Sequence, residues 1–205
     1  MKVLVIGGGG KTGRLVVEAA ARAGHAVTAF VHKPEPFQNG VTVVVGDAEE
    51  AAALDGAVDG QDAVIDTIGG TTPYKDTGLE VSTARKLVAA MRAKGARRLV
   101  VVSAMGVDDS VDNAPFWYEW LLMPTMLRGV AKEKTAMEAE VRSAGLDFVI
   151  VRPALLTDVQ GGAPLRVASA GEKVRSTSRG DLARFLVEQL DSDIHLNGAV
   201  VVANA

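Results

Sequence analysis

Three glycines at regular spacing, Gly7, Gly10 and Gly13, separate an apolar run from an amphipathic segment near the amino terminus. The run over residues 2–6 predicts a strand, and Arg14–Ala23 carries apolar residues at helical spacing. A glycine-rich turn in this setting indicates a dinucleotide site, because glycines permit a tight turn, close approach of a pyrophosphate, and close packing of the helix on the strand. The alternative is a flexible turn with surplus glycine. With a strand following the helix, we expect phosphates to bind at the helix start.

Strands and helices alternate along the chain after this turn. Predicted strands cover Ala26–Val31, Val41–Val45, Asp62–Ile68, Arg97–Val102 and Asp147–Val151, and predicted helices cover Glu49–Val58, Leu79–Lys94 and about Val130–Ser143. Because the strands are nearly continuous apolar runs, both faces of the sheet should be buried, which favours parallel strands. We therefore predict a single α/β domain over residues 1–205, a Rossmann-type doubly wound parallel sheet with three α/β/α layers.

Two regions outside this alternation are expected to form a small substrate-side portion of the domain. They are the loop over residues 104–129 and the tail over residues 154–205. The tail predicts a weak strand near Leu165–Ala168, a helix over about Arg179–Leu190 that Ser178 caps, and a strand at Ala199–Ala203.

Composition excludes several classes of function. The chain has no cysteine and three scattered histidines, so we expect no disulfide, no thiolate nucleophile and no metal site. A net charge of -3 without a Lys/Arg-rich block argues against a nucleic-acid partner. The longest nearly uncharged stretch, residues 120–127, is far shorter than the roughly 20 apolar residues of a membrane span. We expect a cytoplasmic protein that is a monomer or a homodimer.

The end of the second predicted strand indicates which dinucleotide binds. An NAD site usually has an acidic residue there, whereas this chain reads Val31, His32, Lys33. Lys11 within the glycine turn adds a further cation, so we predict that NADP(H) is preferred over NAD(H). One charge-assisted hydrogen bond to the 2′-phosphate, worth about 1.5–3 kcal/mol, would be enough to discriminate between the two cofactors. The alternative is that Lys33 is only a solvated surface residue.

Other candidate residues follow the third and fourth predicted strands, at the edge where α/β sheets bind ligands. Asp47 and Ala48 end the third strand, and Ile68, Gly69 and Gly70 end the fourth. We expect the adenine and ribose to lie beside them. For Asp47, a role as the N-cap of the next helix is equally open.

Ser103 and Lys134 are candidate catalytic residues. Ser103 follows the fifth strand, so its hydroxyl should lie near the nicotinamide, although a serine that only forms the turn is the alternative. Lys134 lies on the following helix, where it could instead form a surface i,i+4 pair with Glu138.

An aromatic cluster lies in the long connection after Ser103. It comprises Phe116, Trp117, Tyr118 and Trp120. Loops on a rigid scaffold often contact substrate, so Trp117 and Tyr118 are candidate contacts for a flat apolar acceptor. Core packing and a dimer contact are the alternatives.

Several motifs together resemble the atypical short-chain dehydrogenase/reductases, in particular the NAD(P)H-binding NmrA-like group that includes biliverdin reductase B, a flavin reductase. The motifs are Gly7/Gly10/Gly13, Val45-Gly46-Asp47, residues 60–65, 102–104 and 143–147, Val151-Arg152-Pro153 and Ser178-Arg179-Gly180-Asp181. The resemblance spans nearly the whole chain.

The resemblance implies a role for each candidate cofactor residue. It assigns the phosphates to Gly7, Gly10, Lys11, Thr12 and Gly13, the 2′-phosphate to His32 and Lys33, the adenine to Asp47 and Ala48, and the nicotinamide to Ile68, Gly69, Gly70, Ser103 and residues Pro153 to Leu155.

The chain departs from the wider superfamily at its Tyr-x-x-x-Lys motif. Lys134 matches the lysine, but Val130 stands at the tyrosine position. Interconversion of a carbonyl and an alcohol needs a positioned acid or base, which contributes about 10²- to 10⁴-fold to the rate. Without the tyrosine, this chemistry is disfavoured. Flavins, quinones and related tetrapyrroles accept hydride and can take their proton from water. Tyr118 would substitute only if its loop folded inward.

These observations lead first to an NADPH-dependent oxidoreductase that passes hydride to a flat acceptor. The second hypothesis is a noncatalytic NADP(H)-sensing regulator of the NmrA-like type, with a partner surface around Phe116 to Leu127. The third is an enzyme like the sugar-nucleotide epimerases and dehydratases, which would need the missing tyrosine.

Overall fold

Strands and helices alternate in the computed structural model, which describes residues 1–38, 40–69, 77–115, 128–159, 162 and 164–204. The strands are β1 Lys2–Ile6, β2 Ala26–Val31, β3 Thr42–Val45, β4 Ala63–Asp66, β5 Arg98–Val102, β6 Asp147–Pro153, β7 Leu155–Thr157, β8 Arg166–Val167, β9 Ser176–Ser178 and β10 Gly198–Ala203. The helices are α1 Lys11–Arg22, α2 Ala51–Val58, α3 Leu79–Lys94, α4 Arg128–Arg142 and α5 Arg179–Glu188, with a 3-10 helix at Asp108–Asn113. No helix among the described residues is both long and apolar enough to cross a membrane.

The main sheet has the strand order β3-β2-β1-β4-β5-β6-β10-β8. All neighbours pair in parallel except β8, which runs antiparallel to β10. The first six strands have the Rossmann order, in which the chain reverses its direction of travel between β1 and β4. Ligands bind such sheets beside this switch point, at the carboxyl ends of the strands. The predicted fold class is confirmed.

Burial on both faces of the sheet explains why the strands are continuous apolar runs. In β1, Val3 and Val5 pack with residues of α1 and α5, whereas Leu4 and Ile6 pack with residues of α2, α3 and α4. All four side chains are completely buried. Successive strand residues point to opposite faces, so one short segment contributes to both cores and the three-layer arrangement follows.

Helix α1 packs against α5, although the two helices are far apart in sequence. The strand after α5, β10, joins the sheet beside β6. The N-cap predicted for the last helix is confirmed, since the Ser178 hydroxyl accepts from the backbone N–H of Asp181. The tail therefore contributes a helix to one face of the Rossmann sheet and a strand to the sheet itself.

Some boundaries differ from those expected. Strand β4 ends at Asp66 rather than Ile68, because the Asp66 carboxylate accepts the Ile68 N–H at 2.9 Å and turns the chain away from the sheet. The three-residue strands β7 and β9 pair with each other in a separate small sheet and were not predicted. Segments this short show no readable alternation.

Candidate functional site

A cleft of about 550 Å³ opens where the carboxyl ends of β1, β2, β3 and β4 meet. The cleft contains eight of the predicted cofactor residues: Gly7, Gly10, His32, Lys33, Asp47, Ala48, Ile68 and Gly69. It also contains residues that sequence reasoning missed, namely Gly9, Phe30, Val31, Glu35, Gly46, Glu49, Thr67 and Leu79. The fold thus brings the segments after four strands, and the first residue of α3, around one space.

The glycine turn is tightly packed on one side and open on the other. Gly7 adopts φ +76°, a left-handed conformation that favours glycine. A Cβ on Gly13 would lie 2.1 Å from the Gly7 carbonyl oxygen, so only glycine lets α1 pack this close to the turn. A Cβ on Gly10 would have the Gly7 oxygen, at 3.3 Å, as its nearest described neighbour. Backbone at Gly10 is therefore accessible from the cleft.

Helix α1 begins beside this opening. Its N-cap is Gly10, no described side chain caps it, and its first turn carries no acidic residue. The first N–H groups of a helix lack partners within the helix and form the positive end of its dipole. The turn and the helix start therefore fit a pyrophosphate.

Lys11 and Thr12 are the first residues of α1, and Lys11 also contacts the tail. Its Nζ lies 3.2 Å from the Asp158 carboxylate, which also pairs with Arg179. The hydrogen bond from Lys11 lowers the pKa of Asp158. A phosphate at the helix start would share Lys11 with this carboxylate.

An ion pair that sequence reasoning missed lies beyond β2, and its acidic member, Glu35, lines the cleft. Arg14 Nη2 lies 2.6 Å from Glu35 Oε2, and Arg14 Nη1 donates to the Pro36 carbonyl at 2.9 Å. The guanidinium also lies 5.0 Å from the centre of the Phe37 ring. His32 and Lys33 are exposed beside this pair. Glu35 lies beyond the end of β2, where an acidic residue was expected for an NAD site, and Arg14 directly after the last glycine was the available signal.

Asp47 lies in the cleft but does not cap α2. Its carboxylate accepts the Glu49 N–H at 2.9 Å and its carbonyl accepts the Glu50 N–H at 3.0 Å. These bonds form a turn, so α2 begins later than expected and its N-cap is Glu50. The N-cap alternative for Asp47 is wrong for this reason.

Ser103 is buried at the end of β5, and its hydroxyl proton is already used in a hydrogen bond. Its Oγ donates to Glu138 Oε1 at 2.6 Å, and its backbone N–H donates to the Val151 carbonyl at 2.7 Å. A hydroxyl has one proton but two lone pairs. Ser103 is therefore arranged to accept a further hydrogen bond rather than to donate one.

Glu138 is held in turn by Arg152, in a network that sequence reasoning missed. Arg152 Nε donates to Glu138 Oε1 at 2.9 Å and Nη2 donates to Oε2 at 2.7 Å. Both side chains are 2% exposed. Arg152 Nη1 also donates to Asp109 at 2.5 Å, and this bond lowers the pKa of Asp109. Burial lowers the pKa of Arg152, but its hydrogen bonds to Glu138 and Asp109 outweigh that effect and raise it.

Lys134 forms hydrogen bonds with the chain after β4, at the cleft, and with the end of β5. Its Nζ lies 2.7 Å from Glu80 Oε2, 2.8 Å from the Val102 carbonyl and 3.3 Å from the carbonyl of Ile68, a cleft residue. These three partners match the three donors of an ammonium group. The surface pair with Glu138 is wrong: both side chains are buried, because this face of α4 packs on the sheet, and they bind different partners.

Asp66 lies close to this ammonium group at the end of β4. Burial raises the pKa of the Asp66 carboxyl to about 6 from 3.8, opposed by the hydrogen bond from Ile68 and the charge of Lys134, while Glu80 adds to the shift. The folded protein therefore holds this proton more tightly than the unfolded chain. The resulting stabilisation is present below pH 3.8 and is lost as the pH rises through about 6.

Substituting Asp66 by asparagine should remove this pH dependence, since the amide oxygen can still accept from Ile68. We expect the free energy of unfolding of Asp66→Asn, relative to the wild type, to increase by about 1.5–3 kcal/mol between roughly pH 4 and pH 7. Urea unfolding at both pH values measures this. The exposed Asp55→Asn is the control, and an equal difference at both pH values for Asp66→Asn would contradict the expectation.

The remaining predicted residues lie elsewhere. Pro153 ends β6 in the core, and Leu155, which is 51% exposed, begins β7, so neither is a cleft residue. Gly70, Trp117 and Tyr118, with the rest of the aromatic cluster, lie outside the described residues.

Comparison with protein families gives a match over residues 7–193 to the NAD(P)H-binding family. Among curated relatives, the Saccharomyces cerevisiae UPF0659 protein YMR090W is 29% identical, and the matched region covers 98% of this chain and 90% of the yeast protein. Some plant reductases that also match are 31–34% identical over about half of this chain, which spans only 36–38% of their length.

Solved structures share the fold over the full chain. The anaerobilin reductase ChuY of Escherichia coli O157:H7 superposes with a TM-score of 0.80 at 22% identity, covering 98% of this chain and 96% of its own. A candidate NADH-flavin reductase of Streptococcus pneumoniae has a TM-score of 0.79 at 22% identity, covering both chains completely.

Proposed function

The chain belongs to the NAD(P)H-binding family, and from this we propose that it is an NADPH-dependent oxidoreductase that passes hydride to a flat acceptor such as a flavin, a quinone or a tetrapyrrole-like compound. The observation that carries the proposal is the glycine turn, where Gly10 is open to the cleft and no described side chain caps α1. A turn built this way offers backbone N–H groups to a pyrophosphate. When bound, the nicotinamide cofactor supplies the hydride.

The acceptor class follows from the buried polar groups. Ser103 gives its proton to Glu138, and Lys134 is bound to Glu80 and two carbonyls. Neither group is arranged as a proton donor to a carbonyl substrate. Acceptors that take their proton from water fit this arrangement best, and the flavin and tetrapyrrole reductase names of two structural neighbours support the same class.

We assign Ser103 and Lys134 different roles in this reaction. Ser103 accepts a hydrogen bond from the nicotinamide carboxamide, because its hydroxyl proton is donated to Glu138 while the lone pairs of its oxygen can still accept. Lys134 is a positioning residue, since it holds the Ile68 carbonyl of the cleft against the end of β5. The proposed preference for NADPH over NADH starts from His32 and Lys33 at the adenosine end, where the cleft is also lined by three carboxylates. An NADPH-dependent enzyme without cysteine suits the reducing cytoplasm, where we place it.

The test is oxidation of NADPH by the purified protein, followed by the absorbance of the reduced nicotinamide, with flavins, quinones and biliverdin as acceptors and NADH in parallel. We expect turnover with at least one acceptor. Ser103→Ala should lower kcat/KM about 3- to 10-fold, the effect of losing one neutral hydrogen bond. Ser143→Ala is the control, because the hydroxyl of this exposed serine, directly after α4, donates only to the Glu140 carbonyl in the described structure.

The outcomes separate the hypotheses. Tight NADPH binding with no turnover across the panel would overturn the reductase proposal in favour of the noncatalytic sensor. The partner surface of that sensor, around Phe116 to Leu127, lies outside the described residues.

A further inference from the structure

The adenosine end of the cleft has the wrong charge for a 2′-phosphate if only its lining residues are considered. The described lining residues carry three carboxylates, on Glu35, Asp47 and Glu49, against one lysine, Lys33. A 2′-phosphate is strongly anionic, so one lysine beside three carboxylates does not account for its recognition. A further cation is required.

Arg14 is placed to supply that cation. Its guanidinium is held by Glu35, by the Pro36 carbonyl and over the ring of Phe37. The Glu35 side chain lies at the glycine turn, since its Cγ is 3.4 Å from the position of a Cβ on Gly9. The ribose of the adenosine half lies between this turn and the end of the second strand in Rossmann sites.

We infer that Arg14 recognises the 2′-phosphate of the cofactor and that Glu35 is the counter-ion that the phosphate displaces. The inference rests on the proposed dinucleotide site and names the residue that determines its preference. The two bonds from Arg14 to Glu35 and Pro36 use two of the five N–H donors of a guanidinium group. Both side chains of the pair are 36% exposed, so the phosphate can compete for Arg14 without unfolding the loop.

Substitution of the two partners should change the affinity in opposite directions. Arg14→Gln removes the cation, and we expect NADPH and 2′,5′-ADP to bind about 10- to 100-fold more weakly while NADH and 5′-AMP change by less than about 3-fold. Glu35→Gln removes the competing charge but keeps an oxygen that can accept from Arg14. We expect NADPH to bind about 3- to 10-fold more tightly and NADH to be unchanged.

Binding is measured by calorimetry without any acceptor, with NADPH, NADH, 2′,5′-ADP and 5′-AMP as the four ligands. Arg22→Gln and Glu18→Gln are matched controls, because they break a surface ion pair on the same helix. Melting temperatures show whether each variant is folded, and Glu35→Gln tests the inference should Arg14→Gln be unstable.

The inference is overturned if Arg14→Gln weakens all four ligands equally or none of them. It is also overturned if Glu35→Gln weakens NADH selectively, which would make Glu35 the partner of the ribose hydroxyls. Because no turnover is needed, the 2′-phosphate effect can be present when no acceptor is reduced, and turnover can occur when Arg14 has no effect. Failure of the inference and failure of the reductase proposal are therefore distinguishable.

Discussion

Gly13→Ala will abolish NADPH binding and lower the free energy of unfolding by about 3 kcal/mol or more, at the upper end of the range for overpacking. The reason is geometric: the new Cβ would lie 2.1 Å from the Gly7 carbonyl oxygen and 2.8 Å from Thr67 Oγ1. A backbone oxygen cannot rotate away as a side chain can. To relieve the clash, α1 must move off the turn, and the phosphate site moves with it. Calorimetric titration with NADPH and urea unfolding measure the two effects.

Gly56→Ala is the matched control for this substitution. Gly56 lies inside α2, and in the described structure a Cβ added there would have no atom within 4 Å outside its own helix backbone and chain neighbours. Alanine is the better helix former, so this variant should gain about 0.5–1 kcal/mol and bind NADPH normally. Normal cofactor affinity in Gly13→Ala would contradict the assignment of the turn as the phosphate site.

Glu138→Ala should lower the free energy of unfolding by about 3–5 kcal/mol, because it leaves the buried Arg152 without its bidentate partner. Glu140→Ala, on the same helix, breaks an ion pair with Arg85 in which the Arg85 side chain is 67% exposed and that of Glu140 is 29% exposed, and it should change stability by about 1 kcal/mol or less. Urea unfolding of both variants provides the comparison. Equal effects would show that burial of the Glu138–Arg152 pair does not govern its contribution.

The double variant Glu138→Leu, Arg152→Met separates stability from chemistry. Replacing a buried ion pair by apolar residues of similar volume is often neutral, so most of the lost stability should return. We expect kcat/KM to stay about 3- to 10-fold below that of the wild type, as in Ser103→Ala, because the Ser103 hydroxyl would lose the acceptor that orients its lone pairs. Recovery of full kcat/KM in the double variant would remove Ser103 orientation from the proposed mechanism.

The fold could be predicted because its signals are local. The glycine spacing, the apolar strands and the helical periodicity each lie within about twenty residues, and each follows from backbone conformation or from burial of one segment. The same holds for the glycine turn itself, where Gly7 and Gly13 meet a requirement of the main chain. Such requirements can be read without knowing what packs nearby.

The ionic networks could not be predicted because they depend on which segments meet. Lys134 and Glu138 have the spacing of a surface pair, and nothing in that spacing shows that the sheet buries them both. Arg152 lies near the end of the apolar strand β6, but its partners come from α4 and the 3-10 helix. Glu35 lies in an irregular loop, and its partner among the described residues, Arg14, comes from α1. The contacts of Arg152 and Glu35 join residues at least fourteen positions apart.

The packing of α1 on α5 has a consequence for how this chain can be divided. The residues of the glycine turn all lie near the amino terminus, which makes an amino-terminal fragment an obvious choice for a test of the proposed nucleotide site. Yet α1 packs against α5, and β10 extends the sheet beside β6. A fragment ending after Pro153 would expose the apolar face of the helix that presents the turn. We therefore expect the beginning and the end of the chain to unfold as one cooperative unit, and cofactor affinity to depend on both.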